Sequence, residues 1–130
     1  MRAIDTNVVV RFLAGDDKQQ AKAARAAIAA GDIFIATTVV LESEWVLRSA
    51  YGFEPTQIAA ALRGIAGLPG VTIEEPIVLA QALDWMETGM YFADALHLAK
   101  AGDCDAFLSF DRKLAKAAKG QATIPVLAPK

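Results

Sequence analysis

Residues 31–52 carry the sequence GDIFIATTVVLESEWVLRSAYG, in which a short apolar segment is followed by a longer amphipathic one. Ile33-Phe34-Ile35 is apolar on both faces, which is typical of a buried parallel strand. A helix is predicted from about Thr38 to Tyr51, and Gly52 stands where a left-handed C-cap belongs. This stretch therefore predicts one strand–helix unit of an α/β fold.

The same alternation runs along the rest of the chain. Further strands are predicted at 3–4, 71–73, 106–109 and 125–127, and further helices at 8–13, 17–30, 55–67, 76–87, 91–101 and 111–119. Helices outnumber strands, and the strands are short. This pattern predicts an α/β three-layer sandwich, a short-stranded and mainly parallel sheet covered by helices, within a single domain over residues 1–130.

Composition limits the class of protein. Hydrophobic residues make up 55% of the 130 residues, and the mean hydropathy is +0.33. We therefore expect apolar surface that a second copy of the chain or a protein partner covers. Charged residues and glycines interrupt every hydrophobic run, so no membrane span is predicted. A net charge of −2 gives no signature of a passive nucleic-acid module.

Two features predict a cytoplasmic location. Cys104 is the only cysteine, which suits a buried or incidental thiol in a reducing compartment. Residues 1–5 lack the apolar block of a signal peptide.

Two aspartates follow predicted strands, where open parallel sheets bind their ligands. Asp5 follows the strand at 3–4, and Asp111 lies just past the strand at 106–109. If both strands are central in the sheet, the two carboxylates converge on one edge. The alternative is that each aspartate only caps the helix after it. The neighbouring hydroxyls of Thr6 and Ser109 favour a site.

Glu42 lies on the helix that follows the strand quoted above. The apolar face of that helix is predicted to include Val39 and Val46, with Glu42 at its border, so its carboxylate could point toward a strand end. The alternative is an ordinary glutamate at the flank of a helix. Glu44 and Arg48 are predicted to form a solvated pair on the opposite side.

Asp94 lies in the polar sector of the helix predicted at 91–101, together with His97 and Lys100. It is a candidate site residue; the alternative is a carboxylate that the helix dipole favours near the N-terminus. His97 is not assigned a role, because a site of hard oxygen ligands needs no histidine.

A cluster of these acids would require a cation. Carboxylates held close together repel one another, so folding disfavours the arrangement unless a positive charge offsets it. Mg²⁺ and Mn²⁺ prefer oxygen ligands and keep waters that can be activated as nucleophiles. Acids without cysteine or histidine ligands fit zinc poorly. The sequence thus predicts a Mg²⁺ or Mn²⁺ site that can activate water for hydrolysis.

Four segments occur in the order of a PIN domain: IDTN at 4–7, LESEWVL at 41–47, FADALHLA at 92–99 and SFD at 109–111. Over essentially its whole length the chain resembles the toxin ribonucleases of VapC type. The resemblance implies a PIN fold with an acidic pocket that binds Mg²⁺ or Mn²⁺ and cleaves RNA. It also implies the toxin of a type II toxin–antitoxin pair, a homodimer that a cognate antitoxin inhibits.

The resemblance also assigns roles to individual residues. The catalytic and metal-binding acids would be Asp5, Glu42, Asp94 and Asp111. Thr6 or Ser109 would orient a ligand or a water through its hydroxyl, and Asn7 would brace the turn after Asp5. The family often has threonine where Ser109 stands, and either residue supplies a hydroxyl. Metal held by Asp5 and Asp94 would activate water for attack on a phosphodiester, with the other two acids completing or tuning the coordination.

Other interpretations remain open at this stage. A metal-dependent phosphatase is disfavoured because Asp5-Thr6-Asn7 lacks a second aspartate two residues on. A non-catalytic PIN-like binding module is disfavoured because all four acids are present. The basic residues Arg112, Lys113, Lys116 and Lys119 are either a phosphate-steering strip or the solvated face of a terminal helix.

Overall fold

Parallel strand pairing, predicted from the short apolar strands, occurs throughout the computed structural model, which describes residues 1–130. The chain divides into two compact units, Met1–Pro76 and Ile77–Lys130. The single domain predicted from the length remains a prediction.

The first unit alternates strands and helices. Its elements are β1 (Arg2–Ala3), α1 (Thr6–Ala14), α2 (Lys18–Ala29), β2 (Ile33–Ile35), α3 (Thr37–Ser49), α4 (Pro55–Ala66) and β3 (Val71–Ile73). The strands pair in the order β1-β2-β3, all parallel, with Ala3 opposite Phe34 and Ile35 opposite Ile73. Ile33 and Ile35 are fully buried, as expected for the central strand of this sheet.

Local signals start and stop the helices of this unit. Gly15 ends α1 in the left-handed conformation, with φ of 67°. The sequence allows either Asp16 or Asp17 as the N-cap of α2, and the structure selects Asp17, whose Oδ1 accepts from the Gln20 amide at 2.9 Å. Pro55 is the first residue of α4, where its missing N–H is not needed.

Two glycines allow β2 and β3 to begin in close contact. Gly31 and Gly70 have φ of 80° and 78°, and a Cβ added at Gly70 would lie 2.8 Å from the Gly31 Cα. The Ile33 amide donates to the Gly70 carbonyl at 2.8 Å directly beside this contact. Side chains are therefore excluded where the two strands start.

The second unit contains fewer strands. It comprises most of α5 (Pro76–Glu87), then α6 (Phe92–Lys100), β4 (Phe107–Leu108), α7 (Arg112–Ala118) and β5 (Val126–Leu127). β4 and β5 form their own parallel pair, with Phe107 opposite Val126 and Leu108 opposite Leu127. The hydrogen bonds thus define two sheets. The expected convergence of Asp5 and Asp111 required both of their strands to be central in the sheet. β1 has only one strand neighbour, so that condition is not met.

The predicted element bounds agree with the structure within about two residues, the usual uncertainty of helix and strand ends. The prediction of a solvated Glu44–Arg48 pair is wrong. Glu44 is 2% exposed, and Arg48 Nε donates to its Oε2 at 2.8 Å. The buried residues of α3 are Val40, Ser43, Glu44 and Leu47, one position out of phase with the predicted face.

The physical reason is that apolar residues occur in adjacent pairs on α3. Val39 and Val40, like Val46 and Leu47, allow two overlapping apolar faces. The structure buries the face that contains Glu44, because the Arg48 guanidinium one turn later offsets its charge.

Three further expectations concern the surface. The buried alternative for Cys104 is wrong, since the thiol is exposed. Apolar side chains do reach the surface, among them Ile77 at 84% and Phe110 at 80% exposure. None of the helices is long and apolar enough to cross a membrane.

We predict that Arg48→Met lowers the free energy of unfolding by about 2 kcal/mol, because the Glu44 carboxylate stays buried without its charged partner. Urea denaturation measures the change. Arg25→Met, at an exposed position of α2, is the matched control and should shift stability by less than about 0.5 kcal/mol. Equal stability of the two variants would contradict the interpretation of α3.

Candidate active site

Asp5 is the N-cap of α1. Its Oδ1 accepts a hydrogen bond from the Val8 amide at 3.2 Å, and the residue is exposed. Asp5 therefore caps α1, and the cap uses only one carboxylate oxygen. Oδ2 lies outside the cap, so the same residue can both start the helix and offer an oxygen to a ligand.

Thr6 and Glu42 meet in the first unit. Thr6 begins α1 and is buried, and its hydroxyl donates a short hydrogen bond to Glu42 Oε1 on α3. Glu42 is otherwise exposed. This contact brings a carboxylate from α3 to the residue that follows Asp5, although the two acids are 37 positions apart in sequence.

A groove of about 480 Å³ runs between α1 and α2. Asp5, Asn7 and Arg11 line it from α1, and small alanine side chains form much of the α2 side. Asn7 is the second residue of α1 and is exposed; its bracing role stays a prediction. The groove therefore carries one anionic and one cationic side chain.

Arg11 is fixed by three partners. It donates to Gln20 Oε1 at 2.6 Å, to Asp16 Oδ1 at 3.2 Å and to the Tyr51 hydroxyl at 2.8 Å. The Tyr51 hydroxyl in turn donates to Asp16 Oδ2 at 2.8 Å. The hydrogen bond from Tyr51 holds the pKa of Asp16 below its ordinary value, and the same bond raises the pKa of Tyr51. Arg11 thus presents a fixed positive charge in the groove.

Asp111 and Ser109 form a tight turn in the second unit. Asp111 Oδ1 accepts hydrogen bonds from the amides of Lys113 at 2.9 Å and Leu114 at 3.1 Å, so Asp111 is the N-cap of α7. The Asp111 amide donates to Ser109 Oγ at 3.0 Å. As at Asp5, one carboxylate oxygen is used by the cap.

Asp94 and Asp111 line the same small cavity in the second unit. Asp94 lies in the first turn of α6 and is half-buried. The cavity measures about 20 Å³, room for about one water or one small cation, and Tyr91 and Lys113 also line it. Asp94 and Asp111 can offer a metal ion only carboxylate oxygens. Such ligands fit Mg²⁺ or Mn²⁺ and not a soft metal.

Each unit thus supplies two of the four predicted acids. The first unit brings Glu42 to Thr6, beside Asp5, and the second brings Asp94 and Asp111 to one cavity. No group of three or more His, Cys, Asp or Glu side chains in residues 1–130 is arranged to hold a metal ion. His97, left without a role, is exposed.

Sequence reasoning missed two features near these acids. Arg11 belongs to no motif, and its partners lie 5, 9 and 40 positions away, so no local spacing could have indicated the cluster. Tyr91 was included in a predicted helix, whereas it is the exposed N-cap of α6. The only feature of the sequence that points to Tyr91 is that an aromatic residue stands three positions before Asp94.

Comparison with known proteins identifies one family. The profile of the PIN domain matches residues 3–120, a range that includes all four acids. The predicted PIN-like α/β fold class is confirmed by this match, together with the parallel strands and seven helices. No curated protein and no solved structure matches the chain.

The two uses of Asp5 can be separated by substitution. Asp5→Asn retains an oxygen that can accept from the Val8 amide, so we predict stability within about 0.5 kcal/mol of the wild type. Asp5→Ala removes the cap and should lower the free energy of unfolding by about 1 kcal/mol. Thermal and urea unfolding of both variants measure the difference. An alanine variant as stable as the asparagine variant would contradict the capping role.

Proposed function

The chain belongs to the PIN domain family, and on that premise we propose that it is a metal-dependent endoribonuclease, the toxin of a toxin–antitoxin pair. Membership of the family indicates a nuclease-type hydrolase that acts on nucleic acid with divalent metal. Ribonuclease activity, the choice of Mg²⁺ or Mn²⁺ and the toxin role are the proposal. The observation that supports it most is the small cavity that Asp94 and Asp111 share.

We propose that Asp5, Glu42, Asp94 and Asp111 hold the cation and carry the chemistry. When bound, Mg²⁺ or Mn²⁺ would offset the charge of the phosphodiester and lower the pKa of an attacking water. The helix caps support this assignment. Backbone amides fix Oδ1 of Asp5 and of Asp111, so that Oδ2 of each carboxylate has a set direction before any ligand arrives.

The two hydroxyls beside these acids differ in what they can still donate. The Thr6 proton is directed to Glu42, so Thr6 orients that carboxylate. Ser109 Oγ accepts from the Asp111 amide, which leaves its own proton for a water or a phosphate oxygen. We therefore assign to Ser109 the ligand-orienting role that the sequence left open between the two residues. A threonine at 109 would keep the same donor.

Fixed cations would guide an anionic substrate toward an anionic site. Arg11 presents its guanidinium in the groove beside Asp5, and Lys113 lines the cavity of Asp94 and Asp111. Such local charges raise the concentration of a polyanion near the acids, although the net charge of the chain is −2. This arrangement suits a nucleic acid, and RNA is the substrate that we propose.

The proposed partners are a second copy of the chain and a cognate antitoxin, in the cytoplasm. Exposed apolar side chains support such contacts. Leu108 and Leu127 lie opposite each other on β4 and β5 and are 62% and 50% exposed. Phe110 follows the end of β4 by two positions and is 80% exposed. An apolar surface of this kind is typical of a protein–protein contact.

The test is cleavage of a panel of labelled structured and single-stranded RNAs by the purified protein. We expect cleavage with Mg²⁺ or Mn²⁺ and none in EDTA, because the carboxylates repel RNA without a cation. Asp5→Asn and Asp94→Asn should each lower the rate by more than about a hundred-fold, beyond the usual effect of changes outside the ligand sphere. Asp103→Asn, at an exposed position after α6, is the charge-matched control and should cleave at the wild-type rate.

One observation favours a second candidate, a non-catalytic PIN-like binding module: no group of three or more suitable side chains is arranged for a metal. Absence of cleavage on every RNA, together with no heat of Mg²⁺ or Mn²⁺ binding in calorimetry, would support that module. Cleavage that persists in Asp5→Asn and Asp94→Asn would contradict the assignment of the acids. A colorimetric phosphatase assay checks the remaining enzyme class.

A further inference from the structure

We infer that Tyr91 stacks on the base of an unpaired nucleotide next to the scissile phosphate, and that Lys113 binds the phosphate of that nucleotide. This inference rests on the proposed ribonuclease function and adds a residue that selects the substrate. It concerns a side chain that none of the four acidic motifs contains.

The position of Tyr91 is the first observation. The residue is 62% exposed and lines the cavity that also contains Asp94 and Asp111. Its backbone is fixed, because the Ala95 amide donates to its carbonyl at 2.9 Å and the preceding Met90 is buried. Tyr91 therefore has a fixed backbone beside two of the proposed catalytic carboxylates, and most of the residue is accessible.

The contact with Lys113 is the second, independent observation. Lys113 Nζ lies 5.2 Å from the centroid of the Tyr91 ring, within the range of a cation–π interaction. The backbone amide of the same lysine donates to Asp111 Oδ1. Lys113 thus contacts both groups, the aromatic ring through its ammonium group and the capped carboxylate through its backbone amide.

The chemistry of this pair matches a nucleotide. With the ammonium over one face of the ring, the other face can take a base and the ammonium can take a phosphate, the two groups that a nucleotide carries. Stacking on aromatic side chains is the usual way in which proteins bind unpaired bases. A base in a duplex is already stacked on both sides, so the pair selects nucleotides in loops or single strands.

The test combines a change in the protein with a change in the RNA. On a substrate that the wild type cleaves, each nucleotide around the cut is replaced in turn by an abasic unit. One replacement should raise KM about ten-fold with little change in kcat. Tyr91→Leu should raise KM about ten-fold on the intact RNA and show no further loss on that abasic RNA. Tyr91→Phe keeps the ring and should behave as the wild type.

A binding measurement separates this inference from the proposed function. The probe is a short single-stranded oligoadenylate that carries 2-aminopurine, and the buffer contains Ca²⁺. The fluorescence of 2-aminopurine falls when its base stacks. We expect quenching by the wild type and by Tyr91→Phe, and none by Tyr91→Leu. Quenching of this kind without cleavage of any RNA would support base stacking on Tyr91, but it would reject both the nuclease and the place of Tyr91 beside a scissile phosphate.

Other outcomes would overturn the inference while the nuclease stands. One is metal-dependent cleavage with the same KM for Tyr91→Leu as for the wild type. The other is an increase in KM from the abasic unit that simply adds to the increase from Tyr91→Leu. If Tyr91→Leu alters self-association in size-exclusion chromatography and leaves KM unchanged, Tyr91 is a protein contact instead.

Discussion

The hydrogen bond from the Val8 amide to the Asp5 carboxylate fixes the turn from β1 into α1, and much of the first unit depends on that turn. It directs Thr6 toward Glu42 on α3 and Arg11 into the groove along α2. Asp111 repeats the device at the start of α7. In both places a structural role occupies one carboxylate oxygen. The same rigidity that starts the helix gives the second oxygen a fixed direction, so capping and ligand binding do not exclude each other.

Most of the fold could be predicted because its signals are local. A glycine that accepts positive φ, an aspartate cap three residues before its amide partner and a proline at the first helical position each depend on neighbours in sequence. The phase of α3 could not be predicted in this way. Two apolar faces overlap there, and the face that is packed inward buries Glu44 beside the exposed Arg48, which is a tertiary property.

The candidate site, like the fold, could be predicted only where its signals are local. Strand ends indicated Asp5 and Asp111, since ligands of parallel sheets bind there. Glu42 and Asp94 needed the resemblance to a family, because a glutamate at a helix border or an aspartate in a first turn has ordinary explanations. The Arg11 cluster and the pair of Tyr91 and Lys113 were out of reach. Their contacts join residues up to 40 positions apart, and no period or motif relates them.

The contact of Gly31 with Gly70 has a consequence for mutational scans of this chain. A side chain at 70 would collide with the Gly31 backbone, and both residues have φ values that other residues rarely adopt. A deep mutational scan that scores growth or abundance would therefore find position 70 the more intolerant, because of the collision, and position 31 sensitive through its positive φ, although neither belongs to the proposed site. Intolerance alone would not identify the residues that act on a substrate. Only the activity of each variant divided by its folded fraction would separate a loss of folding from a loss of function.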